Sequence, residues 1–529
     1  MPSIGDVLFI SIFLKTLVMG QDLLNDGDTG WHIATGNAIL ENMSIPDADV
    51  FSHTAYGASW TVYSWLSDVI FAAIHGATGL NGVVAFSAAV IALTYTALFG
   101  CMVRTGANPV AAAALSLVAA AASTGHWLAR PHIFSLSFTL AFIVILELYR
   151  HGGRKHLGLL PVLMVLWVNL HPGFMLGLAL VFIYTACELY DFLTSKVADG
   201  GQKARIKALG ITAAITALAA CVNPYGPAIL YLPFNAAGIS YVTANIKEWA
   251  SPDFHVEKAF EFMLLLCLAV FVMSRKGPDL AGGAVSLLLT VMALGSVRYI
   301  PEAALAVTMV TARMTGDAAD RLAEYVSANR VADYIARHIR DISANVAAME
   351  KRPRTHSWAL LFTVACVLAT LYGGRADGAA GPRTMDYSYA PDRFPVAAAG
   401  FAHDNGLTGR MFNEYGWGGY IIYRGYPEQK VFIDGRIEPY GLPVMKDYRR
   451  VELAELGYDA ILDRYGVDWV LFTADSPLCR LLAADGWKQV YKDDTAEVLV
   501  RDLPRYGGLI ETYRPLAGIT GPQRVTHEN

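Results

Sequence analysis

The sequence predicts a polytopic α-helical membrane protein with a C-terminal soluble α/β domain, and three observations predict it. The chain has 529 residues, of which 54% are hydrophobic and 16% charged, with a mean hydropathy of +0.38, too apolar for an ordinary soluble globule. Its apolar residues gather into segments long enough to cross, or nearly cross, a bilayer. Its basic residues alternate from one connection to the next, as the positive-inside rule requires. The net charge of -5 and the lack of a basic-aromatic surface argue against a nucleic-acid partner. The six cysteines show no zinc-ligand spacing, and only Cys479 falls outside the apolar part, so no disulfide framework is expected in the tail.

Taken in order, the apolar segments are Val7–Gly20, Val83–Val103, Pro109–Thr124, Ile133–Leu148, Leu157–Val168, Phe174–Phe192, Ile206–Val222, Ala259–Met273, Leu280–Gly295, Tyr299–Ala312 and Trp358–Tyr372. They make about eleven spans, several shorter than the ~20 residues of a straight crossing. Val7–Gly20 lacks a basic leader and a small-residue cleavage site, so it reads as a retained span. With the N-terminus in the cytoplasm, the inner connections hold Arg104, then Arg150, Arg154 and Lys155, then Lys196 to Lys207, then Arg275 and Lys276, then Arg313 to Arg354. The outer ones hold Arg130, Lys247, Lys258 and Arg298. An odd number of spans leaves the C-terminus outside.

The expected division is a membrane domain over 1–373, a Gly/Ala/Pro linker over 374–385 and a periplasmic domain over 386–529. Within the first, 21–82 is an outer loop and 316–355 a cytoplasmic amphipathic segment. Val331, Ile335, Ile339, Ile342 and Val346 recur at helical spacing between Arg330, Arg337 and Arg340, which suits a helix on an anionic leaflet and equally one packed on its own protein. The tail holds strand-like runs at Tyr420–Tyr423, Val431–Ile433, Trp469–Thr473 and Ala496–Val500.

The loop from Gln21 to Gly82 carries seven carboxylates and no Lys or Arg, and short loops without basic residues are the exported ones. Trp31, Phe51, Trp60 and Trp65 suit the lipid interface. The apolar stretch Tyr63–Ala77 holds Ser64, Ser67, Asp68 and His75 and reads as a helix lying in the interface. Chemically able side chains collect on the same outer side: Asp26, Asp28 and His32 in this loop, His126, Arg130 and His132 at one turn, Asn169 and His171 at another. Lys247, Glu248, Asp253 and His255 follow in a longer loop, and then Arg298. Lone His or Arg residues at span ends are usually snorkelling groups, and Asp26 or Asp28 also suits a helix N-cap. The expectation is that these carboxylate, guanidinium and imidazole groups meet in one outer pocket.

Asp28 with His32 four residues on, then Asp47-Ala48-Asp49, Phe51-Ser52, Gly57 and Trp60, resembles the first outer loop of the GT-C membrane glycosyltransferases. That superfamily includes oligosaccharyltransferases, protein O-mannosyltransferases and the aminoarabinose transferase of lipid A. In the tail, Asn413-Glu414-Tyr415-Gly416-Trp417-Gly418-Gly419-Tyr420 and Asp434-Gly435-Arg436 are similar to the Trp-rich segment and following Asp of the oligosaccharyltransferase soluble domain. The resemblance implies a GT-C-like fold, an acceptor-activating Asp at Asp28 or Asp26, and a lipid-phosphate-binding cation at Arg298. Arg130-Pro131-His132 stands where the family carries paired acids, which leaves its divalent-metal site in doubt. Gly418 and Gly419 replace part of its Trp-Trp-Asp-Tyr-Gly motif, so sequon recognition is not implied.

Physical chemistry runs parallel to that likeness. A sugar on a polyprenyl phosphate has its leaving group anchored in the bilayer, so cations must stabilise the departing phosphate; Arg130, Arg298 and Lys247 supply them. A carboxylate must take the acceptor's proton; Asp28 is first choice, Asp26 second, Glu248 third, with His32, His132 or His171 orienting. A single displacement inverts the anomeric centre. A metal-assisted variant, with magnesium or manganese held by Asp28 and a histidine such as His132, stays open. The expected protein is thus an inner-membrane glycosyltransferase acting on a lipid, glycan or protein acceptor. The rival readings are a lipid-linked glycan polymerase or ligase, which needs no acidic first loop, and a non-enzymatic transporter or assembly factor, for which paired repeats and midplane charges would be expected.

Overall fold

The computed structural model describes residues 3–152, 156–194, 200–234, 246–326, 330–350, 357–372 and 386–513. Arg154, Lys155, Lys196, the 351–356 stretch, the side chains of Arg330, Ile335, Ile339 and Arg340, and the 374–385 linker lie outside the described residues. The chain divides into two compact units, one of Met1–Gly20 with Thr78–Asp386, the other of Gln21–Ala77 with Tyr387–Asn529. This grouping sets the first loop with the tail, a division that cuts at 373 and 386 do not draw.

The first unit is helical. Its opening helix, Ile4–Val18, starts on a capping box in which Ser3 Oγ accepts the Asp6 N–H (3.0 Å) and Asp6 accepts the Ser3 N–H (2.8 Å). Among the described residues four helices are long and apolar enough to cross a membrane: Trp65–Arg104, Pro109–His126, His132–Arg150 and Phe174–Thr194. Leu159–Leu170 and Leu280–Gly295 are apolar but shorter, and the remaining apolar segments also fall on helices, such as Lys258–Met273, Ile300–Ala312 and Ser357–Tyr372. Large apolar side chains stay exposed on these helices, among them Leu93, Phe182, Leu218, Leu265 and Leu287. An apolar surface of that extent calls for lipid rather than water.

At the other end of the His132–Gly152 helix from His132, charges read as inner-loop residues pair across helices. Arg150 and Arg313 both reach Asp279 (2.7 and 3.0 Å), Arg313 also meets Glu147, and Arg205 meets Glu188 (2.8 Å). The described part of the expected amphipathic segment forms the helices Thr315–Val326 and Arg330–Glu350, with Val331, Tyr334 and Ile342 exposed.

The stretch Tyr63–Ala77 forms a helix of its own, starting at Trp65. At Gly79 the backbone leaves helical geometry (φ 67°, ψ -164°), a conformation that suits a residue without a Cβ, so Trp65–Arg104 is two helices joined at a kink rather than one.

The second unit holds a four-stranded sheet in the order β1-β2-β4-β3. β1 (Arg410–Asn413) runs parallel to β2 (Val467–Thr473), which is antiparallel to β4 (Ala496–Val500); β4 in turn is antiparallel to β3 (Lys488–Lys492). β2 and β4 fall on expected runs. Tyr420–Tyr423, expected as a strand, lies instead in the helix Gly418–Gly425, and Val431 makes only a single bridge, to Ser52. The reason is close packing. A Cβ on Gly30 would stand 2.4 Å from Gly419 O, and one on Gly419 2.2 Å from Gly27 O. Helices Asp28–Asn42 and Gly418–Gly425 therefore touch backbone to backbone, which small residues alone allow.

Candidate functional site

In the second unit, Asp28 is the first residue of the helix Asp28–Asn42. Its N–H donates to Asp26 Oδ1 (2.8 Å), so Asp26, one residue before the N-cap Gly27, accepts the first N–H of the helix, and neither Asp is the N-cap itself. The Asp28 carboxylate lies against the chain at Gly435, where a Cβ would come 2.0 Å from its Oδ1. Gly435 is held by its neighbours. Arg436 donates to both oxygens of Asp434 (2.8 and 2.6 Å), Tyr440 Oη donates to Asp434 (2.6 Å), and Arg436 Nη1 lies 2.8 Å from Asp49 Oδ1. Asp49 also accepts from Ser52 Oγ (2.6 Å) and from the Phe51 and Ser52 N–H groups. The Arg436 guanidinium stacks over Trp60 (4.5 Å) and Phe51 (5.0 Å). Asp49 and Asp434 are fully buried.

The Asp47-Ala48-Asp49 and Asp434-Gly435-Arg436 motifs are therefore one construction that supports the backbone beside Asp28. Sequence reasoning found both motifs and missed their pairing; the signal was a lone Arg in an apolar run facing an acidic loop. His32 is buried, with Nδ1 2.6 Å from Asp68 Oδ1, which Ser64 Oγ also reaches (3.2 Å). Asp68 was noted in the sequence only as a polar interruption.

In the first unit, Arg130, Arg298, His126 and His132 lie within electrostatic reach of Glu248, and His132, Arg298 and Arg130 within reach of His171. Arg130 Nη1 meets Glu248 Oε1 at 2.6 Å. Arg298, in the short turn Val297–Tyr299, stacks over Trp249 at 4.3 Å. His132 Nε2 lies 2.8 Å from His126 O. Gly173 N–H donates to His171 Nδ1 (3.1 Å), so the ring carries its proton on Nε2. Burial, with the fields of His132, Arg298 and Arg130, holds His171 well below the ordinary histidine range, so it is neutral. The Lys247 side chain lies outside the described residues. Arg130 above all, with Arg298 and the two histidines, holds Glu248 down at about 2 against the opposing effect of burial. A carboxylate that acidic is a weak proton acceptor, which disfavours Glu248 as the base.

No protein-family model and no curated protein matches the chain by sequence. By structure, the chain matches the archaeal oligosaccharyltransferase AglB of Archaeoglobus fulgidus, in complex with an inhibitory peptide and a dolichol-phosphate. The match covers 94% of this chain and 75% of that one, with a TM-score of 0.53 at 11% identity. The apo oligosaccharyltransferase of Archaeoglobus fulgidus matches over 88% and 69%, with a TM-score of 0.50 at 10% identity. ArnT of Cupriavidus metallidurans bound to undecaprenyl phosphate aligns over 93% and 97%, with a TM-score of 0.49 at 15% identity. The chain shares its fold with these oligosaccharyltransferases. The GT-C-like fold expected from the first loop and the tail is thus borne out.

Within this GT-C-like fold, no group of three or more His, Cys, Asp or Glu among the described residues is placed to hold a metal ion. The tail motif also carries a titratable group. Burial, reinforced by Glu452, raises Glu414 to about 7, while its side chain caps the Trp417 N–H (3.0 Å). The unfolded chain sheds this proton near the ordinary value of 4.5 and the folded chain keeps it to about 7, so stability falls as pH rises through that window. Glu414→Gln keeps the capping oxygen and removes the slope. Thermal unfolding from pH 4 to 8 is expected to show the variant gaining ~1–3 kcal/mol over wild type at the upper end.

Proposed function

We propose that the chain is a GT-C-type glycosyltransferase that moves a sugar from a polyprenyl-phosphate-linked donor to a lipid, glycan or protein acceptor at the outer face of the cell membrane, with inversion. The observation that carries this reading is the shared fold, over 94% of the chain, with an oligosaccharyltransferase held in complex with dolichol-phosphate. The acceptor oxygen attacks the anomeric carbon, the bond from that carbon to the phosphate oxygen breaks with its electron pair, and polyprenyl phosphate leaves. Asp28 takes the acceptor's proton. Arg130 and Arg298, with Lys247, bear the leaving phosphate's charge. His32, His132 and His171 orient; the neutral His171, a donor through Nε2, suits a hydroxyl rather than an anion. In this reading the chain is an inner-membrane protein of about eleven spans, with its N-terminus in the cytoplasm and its tail outside.

Deleting the gene and comparing envelope lipids, glycans and glycoproteins by mass spectrometry tests the reading. One glycan species is expected to lose a sugar and to regain it on complementation; an unchanged glycan profile in the deletion strain would sink the proposal.

A further inference from the structure

Glu248 is placed with care for a residue that is a poor base. The turn Lys247–Trp249 is fastened to the Ser296–Arg298 segment, with Ser296 Oγ donating to Glu248 O (2.9 Å) and Val297 N–H donating to Ala250 O (3.0 Å). The same turn presents Trp249 to Arg298 and the Glu248 carboxylate to Arg130. The paired side chains keep 19% of the Arg130 surface and 33% of the Glu248 surface in contact with solvent, so the pair is open to exchange with an outside anion. The Arg130 guanidinium held on this carboxylate, with the field of Arg298 also reaching it, marks an anion site, and a carboxylate offers the same oxygen edge as a phosphate.

We propose that Glu248 is an internal stand-in for the substrate's phosphate, which an incoming phosphate oxyanion must displace from Arg130. The inference rests on the reading of Arg130 and Arg298 as phosphate-binding groups and adds the competitor built beside them. Without Glu248 the Arg130 guanidinium would lose its paired anion; with it that charge stays compensated until substrate arrives, and the exchange trades one anion for another. Because Arg130 keeps Glu248 ionised far below neutral pH, the competition operates across the physiological range. Affinity for the phosphate is therefore set by a difference between two ion pairs, not by the arginines alone.

Calorimetric titration of the full chain in detergent tests this, with farnesyl phosphate, inorganic phosphate and farnesol as probes. Glu248→Gln is expected to bind farnesyl phosphate ~3- to 10-fold more tightly than wild type, the worth of a partly exposed ion pair, while Arg130→Gln weakens binding and farnesol shows no change. Tighter binding of farnesyl phosphate than of inorganic phosphate marks a lipid headgroup as the natural anion, and equal affinities mark free phosphate. Unchanged or weaker binding by a folded Glu248→Gln chain overturns the proposal. If that variant does not fold, Glu248→Asp, whose carboxylate is drawn back from Arg130, decides by the same sign. Since the readout needs no transfer, a tighter-binding variant of a chain that moves no sugar overturns only the transferase reading. A chain that moves sugar without this tightening overturns only the stand-in.

Discussion

Replacing Asp28 by Asn is expected to cut glycosyl transfer by ~100- to 10,000-fold, the usual contribution of a positioned general base, and to leave the fold intact. Asn has the size of Asp and keeps an oxygen, and the backbone N–H of residue 28 stays fixed on Asp26 Oδ1. What is lost is the capacity to accept a proton at the atom set against Gly435. Asp26 provides the contrast. Asp26→Ala removes the acceptor for that N–H and is expected to cost about 1 kcal/mol of stability with a smaller loss of rate. Initial rates from a polyprenyl-phosphate-linked donor in reconstituted vesicles, with thermal unfolding run alongside, separate the two. A D28N chain turning over at the wild-type rate removes Asp28 as the base.

The parts legible in the sequence were those carried by local pattern. Each apolar segment from Val7–Gly20 to Trp358–Tyr372 coincides at least in part with a helix, because apolar length and helix formation are read within one window. β2 and β4, rich in Val, Leu and Phe and buried along most of their length, declared themselves similarly. β1 and β3 did not. Arg410-Met411-Phe412-Asn413 is too short, and Lys488 to Lys492 is too polar, to stand out from a loop. Tyr420-Ile421-Ile422-Tyr423 has strand-like residues, yet all but Tyr423 are buried and Gly418 and Gly419 must touch distant backbone, so long-range packing overrides local propensity. The same limit governs the candidate side chains. Asp28, Arg130 and Arg298 stood out by residue type and position, whereas the partners that fix them, Gly435, Glu248 and Trp249, come from elsewhere in the chain. Asp68 with His32 and Asp49 with Arg436 are contacts across 36 and 387 positions, which no periodicity encodes.

Arg436→Met is expected to be the most destabilising single change in the second unit, costing about 3–5 kcal/mol, because it removes the cation from between two buried carboxylates. Asp49 and Asp434 each have no exposed surface, and Arg436 itself is 2% exposed. Met fills the guanidinium's stem volume, so the loss is electrostatic rather than a cavity. Asp434 would keep only the Tyr440 hydroxyl and the residue 436 N–H, and Asp49 the Ser52 hydroxyl with two backbone N–H groups. The sign of the pH dependence follows. With the cation gone the two acids favour their protonated forms, so the variant's deficit should shrink as pH falls, and Asp49→Asn with Asp434→Asn in the same chain should recover part of it at pH 7. Arg436→Lys is expected to fail as a substitute, since an ammonium cannot bridge Asp434 and Asp49 while stacking over Trp60. Thermal unfolding by tryptophan fluorescence, with Trp60 beside the cation, reads all three variants. Because Asp434-Gly435-Arg436 is the backbone against which Asp28 is set, transfer should fall in these variants in step with the unfolded fraction. In D28N it should fall with no unfolding, and that difference separates the support from the chemistry.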